Sequence, residues 1–190
     1  MRIHITGTTK GLGKAIKGYA DLRGWVITAF DKPEHDLGSS IDSFVSNDFD
    51  VYINNAYHGW TQTDLLYKLW EANHDRPCKI ICVGSVVADR LYDRVYPYAI
   101  HKLALSAACK QLQQIDSYCK ITHIKLGRMD TDMVSHRSGP KMDTAEVARQ
   151  IGHIIDMPYG YVVKELALDN DFTPEILDIR RVHHAIPGHS

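Results

Sequence analysis

The sequence predicts a doubly wound α/β fold, three layers deep, with a mainly parallel sheet between two layers of helix. Three observations predict it. Short apolar, β-rich runs alternate with longer segments of helical spacing along the chain. A glycine-rich turn, "TGTTKGLG", joins the first run to the first helical segment. Some of the runs are continuously apolar, as in strands buried on both faces of a parallel sheet. Parallel neighbours need crossovers, and crossovers put helices on both faces.

Arg2 to Thr6 reads as the first strand. In "GLGKAIKGYADLRG", Leu12, Ala15, Ile16, Tyr19, Ala20 and Leu22 recur at helical spacing, and the pattern stops at Gly24. "WVITAF" is a continuous apolar run, expected to be buried on both faces and to end at Asp31. The polar "DKPEHDLGSS" and the amphipathic "SIDSFVSNDF" lead to a third strand, "DVYIN", and "KIICVGS" is a fourth. A long helix is expected from about Val95 to Tyr118, with Ile100, Leu103, Ala104, Ala107, Ala108, Leu112 and Ile115 as its apolar stripe. "KITHIKLG" follows as a strand, "DTAEVARQIGHIID" as a helix capped by Asp143 or Thr144, and "GYVVKELAL" as the last strand. No repeat, low-complexity segment or linker divides the chain, so residues 1–190 are expected to form a single domain.

A chain of 190 residues buries roughly 70% of its unfolded surface without help from disulfides or metals. Its net charge of −1 gives no long-range field for nucleic acid or an anionic membrane, so an anionic ligand must be held by local geometry. Cys78, Cys82, Cys109 and Cys119 lack CxxC spacing and are expected to be small, reduced core residues. Eleven histidines, three of them in the tail "RRVHHAIPGHS", come without a ligand pattern, and no metal is expected. No apolar run reaches a membrane span and no apolar leader precedes Gly7, so a cytoplasmic location and no membrane partner are expected.

The glycine turn is not a P-loop. Gly7 and Gly13 are five residues apart, and Ala15 stands where a magnesium-binding hydroxyl is needed after Lys14. The remaining pattern, Gly7, Gly11 and Gly13, suits a backbone that turns off a strand and meets a pyrophosphate at the positive end of a helix. Asp31, at the end of the second strand, is placed to accept from an adenosine ribose diol and to repel a 2′-phosphate, which favours NAD, or else is a solvated strand-end aspartate. Lys10 points the other way: it suits the extra phosphate of NADP, or is solvated.

"YAIHK" puts Tyr98 and Lys102 four apart on the long helix, as neighbours on one face, and Ser85 ends a strand thirteen residues earlier. Through "TGTTKGLG", "INNA", "VGS", "YAIHK" and "LGRMDTDM", in this order, the chain resembles the short-chain dehydrogenase/reductase family from about Arg2 to Met133, and more loosely to Leu168. The resemblance implies a Rossmann-type domain binding NAD or NADP, with Tyr98 exchanging a proton with a carbonyl or alcohol oxygen. Ser85 would orient that oxygen. Lys102 would bind the nicotinamide ribose and lower the phenol's pKa, since an ammonium favours a phenolate. The same resemblance assigns the cofactor to Gly7, Thr9, Lys10, Gly11, Leu12 and Gly13, to Asp36 and Leu37 on the adenine side, and to Asn54, Asn55 and Ala56. Gly127, Met129 and Thr131 belong to the segment that meets the nicotinamide end. Read without the resemblance, Asp36 is a helix cap, Asn54 a turn former and Thr131 a surface hydroxyl.

The chain departs from the family in identifiable places. Only four residues separate Asp31 from Asp36, where a helix and strand usually intervene; Tyr57 replaces the glycine after "NNA", and Leu126 the proline before Gly127. No asparagine stands at the family's fourth catalytic position, and Gln62 is the nearest amide to fill it. His101 is expected on the helix surface or at an interface. These readings lead to an oxidoreductase acting on a small carbonyl or secondary alcohol, with a nucleotide-binding regulator of the same fold as the alternative. By resemblance, association through the long helix implies a homodimer or homotetramer.

Overall fold

The computed structural model describes residues 1–32, 35–90, 92–130 and 139–170. Its elements are β1 (Arg2–Thr6), α1 (Gly11–Leu22), β2 (Val26–Phe30), β3 (Val51–Asn54), α2 (Thr61–Asn73), β4 (Cys78–Ser85), α3 (Pro97–Leu112), β5 (Cys119–Leu126), α4 (Thr144–Asp156) and β6 (Glu165–Leu168). Every strand pair is parallel, and the sheet order is β2-β1-β3-β4-β5-β6. The chain steps outward from β1 to β2 and then crosses β1 to continue on its other side. The order therefore reverses between β1 and β3, where open α/β sheets bind ligands.

α1 and α4 pack together on one face over Ile5, Ile53, Ile81 and Ile124, while α2 and α3 cover the other over Tyr52, Ile80, Cys82 and Ile121. All four cysteines are buried and free of disulfides. α4 is closed at both ends by side chains. Asp143, rather than Thr144, accepts from the Ala145 N–H at 2.9 Å, and the buried Lys79 donates to the carbonyls of Ile154, Ile155 and Met157. Among the described residues, no helix is long and apolar enough to cross a membrane.

Two expectations change. β2 is an edge strand, with Val26 62% exposed, because the described residues between β2 and β3 provide a single 3₁₀ turn (Asp42–Phe44) and no strand to cover it. In the amphipathic segment before β3, Phe44 and Phe49 anchor the chain against the α2 side of the sheet. The long helix is shorter and turned. It starts with Pro97 at its first position and ends at Leu112, and its buried stripe is Ala99, Lys102, Leu105, Ser106, Ala108, Cys109 and Leu112. Ile100 and Leu103 are instead 53% and 46% exposed. Apolar residues surround this helix, so their spacing alone does not fix which side faces inward.

Candidate active site

The carboxyl ends of β1, β3, β4 and β5 meet at the reversal point, and hydrogen bonds set their spacing. The Thr6 hydroxyl accepts from the N–H of Asn55 at 3.0 Å and of Ala56 at 2.9 Å, while Asn55 Nδ2 donates to the carbonyls of Thr6 and Gly7 at 3.0 Å each. Gly7 has φ +75°, and a Cβ on Gly13 would stand 1.8 Å from the Gly7 carbonyl oxygen. The loop thus lies directly on the first turn of α1, an approach that excludes any side chain at Gly13. α1 has no side-chain cap and no acidic residue in its first turn. This cradle fits a pyrophosphate, because its bare backbone and the positive helix end both favour an anion. Leu12 turns its side chain into the core, leaving its backbone to the loop, and Thr9 and Lys10 are exposed at the tip.

Asp31 follows β2, and both its carboxylate oxygens accept from Thr8, one from the N–H and one from the hydroxyl, at 2.5 Å each. It braces the glycine loop from the side. Asp36 accepts from the Gly38 N–H and from Lys32 Nζ, both at 3.0 Å; the backbone bond first, then the ammonium, holds its carboxyl below the usual range. Leu37 packs against the core. Asn54, expected beside a cofactor, has no exposed surface. Its Nδ2 donates to the Gln62 carbonyl at 2.8 Å, and Gln62 Nε2 returns a bond to the Asn54 carbonyl at 3.0 Å. These bonds join β3 to α2, and at this strand end it is Asn55 and Ala56 that keep partial exposure.

Ser85 closes β4; its Oγ donates to the Leu126 carbonyl at 3.1 Å and accepts from the Val87 N–H at 3.4 Å. Tyr98, in the first turn of α3, has Ser85 as a side-chain neighbour. Burial holds the Tyr98 phenol above its ordinary pKa; the Ser85 hydroxyl acts the other way, and Tyr96 and Tyr57 add to the rise. Lys102, one turn on, is 3% exposed and donates to Gln62 Oε1 at 2.6 Å and to the Val83 carbonyl at 2.8 Å. Burial lowers its pKa to about 7. Its ammonium lies over the Tyr98 ring, 5.6 Å from the centroid. Gln62, in the first turn of α2, also donates to the Val83 carbonyl at 3.3 Å, so its amide spans β3, β4 and Lys102.

The structure brings further residues to this group. Tyr57 lies edge-to-face on Tyr98 with ring centroids 4.8 Å apart, and its hydroxyl is hydrogen-bonded to His101 Nδ1 at 2.8 Å. His101, half-buried on α3, is thus tied to the site. The substitution at Tyr57 was the available signal, without its partner. A Cβ on Gly84 would stand 2.2 Å from Nε2 of the buried His123, so the glycine of "VGS" makes room for an imidazole behind the site. Gly127 donates its N–H to the Leu168 carbonyl at 2.7 Å, and Met129 is bridged to Met142. Thr131 and the tail histidines lie outside the described residues.

No family model and no curated protein matches the sequence. Solved structures do match. A short-chain dehydrogenase/reductase from Vibrio parahaemolyticus superimposes with a TM-score of 0.72 at 15% identity, over 89% of this chain and 99% of that one. A 3-alpha-hydroxysteroid dehydrogenase from Pseudomonas sp. B-0831, complexed with NADH, gives 0.71 at 16% identity, over 89% and 95%. An alcohol dehydrogenase from the archaeon Thermococcus sibiricus, complexed with 5-hydroxy-NADP, gives 0.70 at 16%, over 88% and 96%. With its parallel sheet reversing at β1 and its helices on both faces, the chain has the fold of the short-chain dehydrogenases/reductases.

Proposed function

We propose that the protein is an NAD(P)-dependent oxidoreductase that interconverts a small carbonyl compound and its alcohol. The observation that carries this reading is the convergence of Ser85, Tyr98 and Lys102 at the carboxyl end of the sheet that also holds the glycine cradle. A bound nicotinamide supplies or accepts the hydride. The chain's part in reduction is the proton. Tyr98 is protonated at neutral pH and donates to the carbonyl oxygen, while the Ser85 hydroxyl turns from the Leu126 carbonyl to the same oxygen. In oxidation the two groups act in reverse. Lys102 steadies the phenolate and reaches the ribose, and Gln62 takes the place of the family's fourth catalytic amide by holding Lys102.

The backbone of Gly7, Thr9, Lys10, Gly11, Leu12 and Gly13 holds the pyrophosphate in this reading. Asn55, Ala56 and Gly127 line the path to the reacting end, with Met129 and Thr131 beyond them. Asp31 favours NAD, since its carboxylate lies against the loop that a 2′-phosphate would approach. The exposed Ile100 and Leu103 on α3 support pairing of two copies through that helix, which scattering from the protein in solution would check.

A second reading, a regulator that binds the nucleotide without turnover, is favoured by one observation: Lys102 is committed to Gln62 and the Val83 carbonyl. One experiment separates the two. Ketones and alcohols are screened with all four nicotinamide cofactors, in the wild type and in Tyr98→Phe. The oxidoreductase reading expects turnover in the wild type and at least a ~1,000-fold loss in the variant, with cofactor binding retained. Turnover that survives Tyr98→Phe refutes the assignment.

A further inference from the structure

Tyr57 is the ring at the site that the proposed chemistry leaves unused. It lies against Tyr98 at an interplanar angle of 75°, and its centroid is 5.3 Å from Lys102 Nζ. Its hydroxyl is tied to His101, whose ring meets Trp60 with centroids 4.5 Å apart. His101 and Trp60, with Ile100 and Leu103, line an open groove of about 600 Å³. A contiguous chain of contacts thus runs from this groove through His101 and Tyr57 to the buried lysine.

We propose that Tyr57, pinned by His101, is a positioning residue that seals Lys102 from the groove and holds its ammonium between two tyrosine rings. The groups that face Lys102 make such a seal necessary. They are Tyr98 on its own helix, Tyr57 after β3, Gln62 on α2, Cys82 and the Val83 carbonyl on β4, and His123 on β5. None of them is a carboxylate. Two acceptors and two ring faces are what offset the water the ammonium has lost. His123, kept neutral by its own burial, adds no compensating charge. Removing the Tyr57 ring admits water from the groove to the lysine, and the charged form gains.

The inference rests on the oxidoreductase reading only for its effect on turnover. The test therefore reads the lysine itself. Protein labelled with [13Cε]lysine is titrated by NMR, with the Lys102 signal assigned from Lys102→Arg. In the wild type Lys102 is expected to titrate near 7. Tyr57→Ala is expected to raise this midpoint by roughly one unit or more, a tenfold change in the ionisation constant, and Tyr57→Phe, which keeps the ring, to restore most of the difference. His101→Ala leaves the strand end intact and is expected to shift the midpoint the same way by less, so it replaces Tyr57→Ala should that variant not fold. A midpoint that stays within about 0.3 unit of wild type in the variant that folds overturns the seal, as does equal behaviour of Tyr57→Phe and Tyr57→Ala. In an active enzyme the pH profile of kcat/KM moves with the lysine. If the wild type turns over no ketone or alcohol with any of the four nicotinamide cofactors, the oxidoreductase reading fails while the titration still decides this one.

Discussion

Lys79 and Lys102 are both buried lysines, one near the start of β4 and the other in α3, and they spend their charge differently. Lys79 places its three donors on the carbonyls of Ile154, Ile155 and Met157, at 3.2, 3.0 and 2.6 Å. Those carbonyls end α4, where the helix dipole favours a cation. Lys102 has two oxygen acceptors and two aromatic faces. Burial lowers both pKa values, while Asp156 draws that of Lys79 back up. Desolvation alone therefore does not mark a reactive lysine. What separates them is how the donors are used: Lys79 places all three on the carbonyls that end α4, whereas Lys102 makes two hydrogen bonds and lies over the Tyr57 and Tyr98 rings.

Paired substitutions test this difference most severely. Lys102→Met is expected to lower turnover at least ~100-fold, because the phenolate loses the ammonium over its ring, and to leave a folded protein. Lys79→Met is expected to keep turnover per folded molecule and to lose about 2 kcal/mol of stability, since buried carbonyls at the end of α4 lose their donors. Urea unfolding and steady-state kinetics on both variants give the two readouts. A Lys79→Met protein that is stable but inactive would erase the contrast.

The parts of this contrast were unequally visible in the sequence. The glycine turn, the strand ends at Asn54 and Ser85, and the Tyr98–Lys102 spacing are local patterns, so they were legible as sequence. The burial of β2 was misjudged because an edge depends on which neighbour is absent, and the strand's own residues carry no sign of that. α3 was placed in the wrong phase because Ile100 and Leu103 are as apolar as Leu105 and Cys109, and because its inward face contains a lysine and a serine. Lys79 gave no warning as a helix cap, and Tyr57 gave none as a partner of His101. Their partners lie 75 to 78 and 44 residues away, and only the folded sheet brings them together.

pH sharpens the comparison further. Lys102 has a folded pKa of about 7 against roughly 10.4 for an unfolded lysine. Between these values the unfolded chain binds a proton that the folded protein does not, so stability rises with pH across that window. Below the folded value both states are charged and the contribution is flat. Urea unfolding between about pH 7.5 and 9.5 is expected to gain more than ~1 kcal/mol in the wild type relative to Lys102→Met. Lys79 contributes a slope of the same sign, and that slope stays in Lys102→Met. Parallel stability curves for wild type and Lys102→Met would show that Lys102 is solvated.

The smallest effect belongs to the other end of α4. Asp143 accepts from the Ala145 N–H at an exposed position, whereas Lys79 serves carbonyls that water does not reach. Asp143→Ala frees an N–H that water can satisfy, so the loss is limited to the difference between a fixed charged acceptor and solvent, about 1 kcal/mol. Lys79→Met strands its partners inside and costs more. Hydrogen exchange of the α4 amides separates the two. Asp143→Ala should speed exchange in the first turn only, while Lys79→Met should loosen the helix through its last turn and against β4. An Asp143→Ala loss equal to that of Lys79→Met would mean that α4 is held by its two ends alike, and that the burial of Lys79 adds nothing to its grip.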